Sequence, residues 1–242
     1  MPAFYPALGR LGFALAVHLT DLAGIAHANC NSDGQPAPAA LLERFTNADC
    51  ATCWSEPATA RPAARELAID WIVPSPRGDE AALSAVASRD ALLRLEALKQ
   101  ALPITISNHR SGEIRANRAA NSSSARLRVA HGIALGGYMG ASIELTATGN
   151  RANSSRSSLA IQFPLTAWLV LVEDIPAGVE GSPVSRLLVR NALVTTWPKG
   201  RRPFESRPMS LPTGSNPDKL RVVGWVEDVQ GQVIARAASV CR

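Results

Sequence analysis

The chain has 242 residues, 46% hydrophobic and 19% charged, with 17 Gly, 17 Pro and four Cys. That length and balance exclude a mostly disordered chain, a multi-span membrane protein and a disulfide-dense mini-scaffold. A formal net charge of +5 and an aromatic content of 5% give no support to base- or sugar-stacking platforms.

Residues 1–28 read as a secretory signal peptide. Arg10 supplies the positive start, Leu11 opens an apolar stretch running through Ile25, and Ala26-His27-Ala28 fits the small-x-small cleavage pattern. His18 and Asp21 interrupt that stretch, which argues against a retained transmembrane helix. The mature chain is therefore expected in the periplasm or secreted, without an integral membrane segment. Residues 29–40 form a polar, Pro-containing lead-in.

Residues 41–46 read as a short strand, and Asn47-Ala48-Asp49 as a turn. Helix-like composition follows Cys50, with Pro57 and Pro62 in a first turn or breaking it. Residues 67–73 form a second strand, ended by Pro74 and Pro76. Asp79 is an N-cap candidate for a helix from about Glu80 to Gln100, with Leu83, Val86, Leu92, Leu95 and Leu98 at helical spacing. Residues 103–106 offer a third strand. This alternation predicts an α/β domain over residues 41–116, with a parallel central pair.

A Ser-rich linker follows at residues 117–125, and the period then changes to two. Residues 126–129, 142–146 and 159–163 alternate, and 168–172 form a continuous apolar strand. Residues 187–189 begin another strand, while 220–227 and 232–237 flank the hairpin signal Asp228-Val-Gln-Gly231. No long helical period appears, so an antiparallel β-sandwich is expected over residues 126–242.

Export makes disulfide pairing the expected use of cysteine. Cys50 and Cys53 form a C-x-x-C, which leaves Cys30 and Cys241 as a staple between the ends of the mature chain. Four cysteines allow three pairings, so other connectivities stay open at this point.

A C-x-x-C between a strand and a helix can carry thiol chemistry. The helix N-terminus stabilises a thiolate at Cys50, which attacks a partner disulfide; Cys53, about one turn later, resolves the mixed disulfide. The alternative is an inert Cys50–Cys53 bond in a binding or structural module. In that case Trp54 could cover the site, and Asp49 would raise the Cys50 pKa.

Residues 41–53 resemble the opening motif of a bacterial secreted thioredoxin-like family of unknown function. That motif runs two hydrophobics, Glu, Leu, Phe, Thr, three turn residues, then Cys-x-x-Cys-Pro. Glu43, Phe45, Thr46, Cys50 and Cys53 match without a gap, while Arg44 replaces Leu and Trp54 replaces Pro. The resemblance implies an α/β thioredoxin-like domain followed by a β-rich one over most of the mature chain. Residues 168–173 are similar to the family's central strand, Arg190-Asn191 to a later Asn-containing segment, and 220–237 to its closing hairpin; Val189 stands where His is usual. A thioredoxin-like site also implies a cis-proline loop facing the C-x-x-C. Pro103 resembles that proline, with Leu102 in place of Thr and His109 in place of Gly. The expected catalytic set is thus Cys50, Cys53 and Pro103, acting on a protein thiol or disulfide partner, without a cofactor.

Other chemistry finds less support. Beyond residue 28 the histidines are His109 and His131, too few for a His-rich metal cage, although Cys50, Cys53 and His109 have a donor set suited to Cu(I). There is no G-x-S-x-G, and Gly136-Gly137 reads as a turn. Glu173-Asp174 and Glu227-Asp228 read as solvated strand ends. Asn121 and Asn153 head glycosylation-type triplets in polar loops. Arg61, Arg65, Arg89, Arg94, Arg151 and Arg156 are scattered singly, so a solvated Arg-rich surface is expected rather than a nucleic-acid interface.

Overall fold

A computed structural model describes residues 30–111, 125–147 and 162–241. The signal peptide at 1–28, residues 117–124 of the linker, residues 159–161 of one expected strand, and both glycosylation-type triplets lie outside the described residues.

In chain order the elements are β1 (Cys30–Asn31), β2 (Ala40–Asn47), α1 (Ala51–Trp54), β3 (Glu66–Val73), α2 (Arg89–Ala97) and β4 (Ile106–Ser111). There follow β5 (Ala125–Leu135), β6 (Tyr138–Ala147), β7 (Leu165–Ile175), β8 (Arg186–Trp197), β9 (Phe204–Ser210), β10 (Leu220–Glu227) and β11 (Val233–Ala238). They form a seven-stranded sheet, ordered β11-β10-β7-β8-β3-β2-β4, and a four-stranded sheet, ordered β1-β5-β6-β9. β2 pairs with β3 in parallel, as β3 does with β8. The other pairings are antiparallel.

This architecture overturns the expected α/β thioredoxin-like domain followed by a β-sandwich. Strands from both halves share one sheet, joined where Asp70 of β3 pairs with Leu188 of β8. The C-terminal strands do pack in two layers, β5, β6 and β9 against β7, β10 and β11, but the second layer continues into β3, β2 and β4 instead of closing a separate domain. Helix is also scarcer than the apolar spacing suggested. Residues Gly78–Glu80 and Ser84–Val86 form 3-10 turns, and the backbone is extended at Ala81 and Ala87. Regular helix begins only at Arg89, where the Ser88 side chain caps it by accepting from the Asp90 N–H. Leu83 and Val86 thus reach a core from turns, not from a helix face.

Alternation along the central strands puts a core on both faces of the large sheet. On one face Leu41, Phe45, Trp71, Trp168 and Trp225 pack with Ala91 and Leu95 of α2. The Phe45 and Trp71 rings stack at 6.1 Å, and Trp168 and Trp225 at 5.7 Å. On the other face, Ala167, Leu169 and Val222 meet Val129 and Ile143 of the small sheet. Farther along it, Ile72 and Leu188 pack with Ala48, Trp54 and Ala81. At Gly224 the sheets approach too closely for a side chain: a Cβ there would lie 2.6 Å from Val129 Cγ1 and 2.9 Å from Ile143 Cδ1.

Candidate redox site

At the end of β2, Asn47 builds the turn that carries the cysteines. Its Oδ1 accepts the Asp49 N–H at 2.9 Å, and its carbonyl accepts the Cys50 N–H at 3.0 Å. Cys50 is thereby set at the N-cap of α1, with no side-chain cap bond. The Cys53 N–H reaches the Cys50 carbonyl at 3.1 Å, and the two sulfurs are joined in a disulfide with Cα atoms 5.3 Å apart. Exposure is unequal: Cys53 is buried at 7%, while Cys50 is half-buried with its Sγ 3.6 Å from Thr52 Oγ1.

The electrostatics differ from those of a long helix. α1 has four residues, so few peptide dipoles align behind Cys50 and the macrodipole contribution is correspondingly small. Asp49 adds a carboxylate beside it, faced by Arg77 Nε at 3.6 Å. Trp54 is buried among Ile72, Ile175 and Leu188, and its Nε1–H donates to the Glu180 carbonyl at 2.8 Å.

Pro103 is buried in the loop before β4. Its carbonyl accepts from Asn47 Nδ2 at 2.9 Å, and the Thr105 carbonyl accepts the Asn47 N–H at 2.8 Å. The loop is thus tied to the residue that turns the chain into Cys50. The cis bond expected at Pro103 is absent: the cis peptide among the described residues is Phe163–Pro164. Pro103 also lies ahead of its strand, which starts at Ile106, where a proline opening the strand was expected. Leu102 and Ile104, on either side of it, are 62% and 91% exposed. His109 lies across the ladder from Glu43 and bonds Gln100 Nε2 through Nδ1 at 3.1 Å. Among the described residues, the cluster of metal-type donors is Cys30, His131 and Cys241, not Cys50, Cys53 and His109. Cys30 and Cys241 are themselves disulfide-bonded, with Cα atoms 4.1 Å apart.

Comparison with protein-family models, with curated proteins and with solved structures gives no match. The reading of the site rests on its own residues.

The sequence reading missed two buried ionic groups. In the first, Asp70 takes Arg44 Nη2 at 2.6 Å and Arg186 Nη1 at 2.8 Å, all three side chains being about 1% exposed. Arg186 also donates to the Trp54 carbonyl at 2.8 Å, and Arg44 to the Ala60 carbonyl at 3.0 Å. The pair therefore holds the start and the middle of the loop that follows the C-x-x-C. Burial pulls the Arg186 pKa below its ordinary value; Asp70 opposes that pull and Arg44 adds to it.

In the second group, Arg94 forks onto Glu43, with Nε at 2.8 Å and Nη2 at 2.7 Å, and donates Nη1 to Glu227 at 2.7 Å. Its guanidinium lies 4.8 Å and 5.0 Å from the ring centres of Trp168 and Trp225. Burial pulls the Arg94 pKa down, but Glu43 and Glu227 more than offset it and the net shift is upward. Glu173 is likewise buried, bonded to Arg190 Nε at 2.6 Å. The solvated surface expected for Arg94, and the solvated strand ends expected at Glu173 and Glu227, are corrected accordingly, while Arg61, Arg65 and Arg89 are exposed. A signal existed in Glu43-Arg44, two adjacent charges inside a strand apolar on both sides. One residue of such a pair faces each side of the sheet, so burial of both faces buries both charges.

Proposed function

We propose that the chain is an exported thiol–disulfide exchange protein in which Cys50 is the reacting sulfur and Cys53 the resolving one. The observation that carries this reading is the unequal exposure of the pair, half-buried Cys50 against buried Cys53. A partner sulfur reaches Cys50 first, and Cys53 waits one turn behind it. In the reduced state the Cys50 thiolate attacks a partner disulfide, expelling one partner thiolate. The Cys53 thiolate then attacks Cys50 Sγ, releases the second partner thiolate and restores the Cys50–Cys53 bond. Exposed Leu102 and Ile104 offer an apolar rim for an extended polypeptide partner, on a loop fastened to Asn47. Two disulfides accord with an oxidising compartment, as does the signal-like stretch at residues 1–28. Among the described residues no helix is long and apolar enough to cross a membrane.

A second reading, an inert disulfide in a binding module, draws on the one-turn α1 and on Asp49 beside Cys50. Trapping separates the two. The reduced Cys53→Ser variant is expected to accumulate a mixed disulfide at Cys50 with oxidised glutathione, and Cys50→Ser to trap far less at Cys53, both read by peptide mass. Equal trapping by the two variants removes the asymmetry and favours the inert module.

A further inference from the structure

A second cysteine pair joins the two ends of the described chain, and it lies against a histidine. β1 pairs with β5 so that Cys30 faces His131 directly across the ladder. Cys241 follows Val240, which exchanges two backbone hydrogen bonds with Asn31 at 3.2 Å and 2.9 Å. One ligand-type atom each from Cys30, His131 and Cys241 lies within 4.8 Å of the others.

The imidazole is set in a ligating tautomer. His131 Nδ1 lies 2.9 Å from the Gly132 carbonyl, an acceptor, so Nδ1 carries the hydrogen and Nε2 keeps its lone pair. His131 is 5% exposed, and its buried Nε2 has no hydrogen-bond partner among the described residues. A buried nitrogen lone pair left unpaired on the residue that faces Cys30 lacks the partner that buried polar groups ordinarily have. Burial, the larger effect, lowers the His131 pKa against the Gly132 hydrogen bond and favours the neutral form that ligates metals.

We infer that reduction of the Cys30–Cys241 disulfide opens a zinc site formed by the two thiolates and His131 Nε2. A dithiol reductant supplies the electrons: its two thiols close into its own disulfide, and their hydrogens pass to the sulfurs of Cys30 and Cys241. Zn²⁺ then displaces both thiol protons to solvent and takes the His131 lone pair, leaving a fourth position for water. Zn–S bonds of about 2.3 Å and Zn–N bonds of about 2.0 Å place tetrahedral ligand atoms a little under 4 Å apart, so the two sulfurs, bonded to each other before reduction, must separate to that distance while the sulfur–nitrogen spacings, within 4.8 Å, settle near it. The Asn31–Val240 hydrogen bonds do not depend on the disulfide and keep the two sulfurs together once it opens. An open cleft of about 330 Å³, lined by Ser239, Asp174 and Arg221 among others, reaches Cys241. Cys241 is exposed and Cys30 buried, so the reductant attacks at Cys241.

The test uses the full chain carrying Cys50→Ser and Cys53→Ser, which removes the other thiols. After reduction it is titrated with Zn²⁺ against a chromophoric chelator, and with Co²⁺, whose thiolate charge-transfer and tetrahedral d–d bands report the ligands. One equivalent of Zn²⁺ is expected in the reduced protein and none in the oxidised. Affinity is expected to fall at least about tenfold in His131→Gln and in Cys241→Ser. Circular dichroism accompanies each step. Loss of the native spectrum on reduction, no stoichiometric Zn²⁺, or undiminished affinity in either variant overturns the inference.

Discussion

The Arg186 guanidinium donates to the Trp54 carbonyl at 2.8 Å across 132 residues of sequence, fastening the end of the C-x-x-C turn to β8. The same guanidinium bonds Asp70 Oδ1, so the C-x-x-C turn hangs on a charge held inside the sheet.

Replacing Arg186 with Met leaves Asp70 with Arg44 and the Leu187 N–H, and takes the Arg186 donor from the Trp54 carbonyl. Breaking a buried ion pair in this way costs about 3–5 kcal/mol. Arg186→Lys should recover only part of the loss, because an ammonium cannot reproduce the guanidinium fork. Urea unfolding of the three proteins measures it, and Arg186→Met within about 0.5 kcal/mol of the native chain would contradict the bracing role.

Arg94 supports the opposite face of the sheet. Arg94→Met strips the counter-ion from two buried carboxylates, Glu43 and Glu227, and is expected to destabilise the fold by about 3–5 kcal/mol. Replacing all three by Leu or Met removes the charges together and should be far milder than the single change. A triple variant less stable than Arg94→Met would show that the ions themselves, rather than the penalty of an unpaired charge, sustain this core.

Packing between the sheets is tested at Gly224. An alanine Cβ would press on Val129 Cγ1 and Ile143 Cδ1, both fully buried, with the Trp168 carbonyl at 3.3 Å behind them. Gly224→Ala is expected to cost about 1–3 kcal/mol by overpacking, read as a lowered denaturant midpoint. An unchanged midpoint would mean that the sheets are not in contact there.

Strands of the large sheet's interior were legible because they are dense in apolar residues even where Glu43, Arg44, Asp70 and Arg221 interrupt them: residues 41–46, 67–73, 168–172 and 220–227 all fall inside observed strands. Of the edge strands, β11 was legible as residues 232–237, while β4 and β9 were not. β4 carries Ser-Asn-His-Arg-Ser with no apolar alternation, and β9 buries Met209 while holding Pro208, which an edge tolerates. The fold class went astray because local period cannot say which strands pair. Nothing in residues 66–73 or 186–197 announces that β3 and β8 lie side by side. The helix expected from Glu80 failed for a local reason: Leu83 and Val86 keep helical spacing from Leu92 and Leu95, yet extended backbone at Ala87 separates them. At the candidate site, the cysteine spacing and the preceding strand were readable. The Asp70–Arg186 brace was not, since its partners lie 116 residues apart.

The most direct test of the central claim is the reduction potential of the Cys50–Cys53 bond. Native protein is equilibrated with glutathione buffers, alkylated, and resolved peptide by peptide so that Cys30 and Cys241 are scored separately. Exchange through a partly exposed Cys50 predicts a potential near or above roughly −230 mV, in the range of labile, catalytic disulfides. A value below about −300 mV would mark a structural bond and contradict the exchange function.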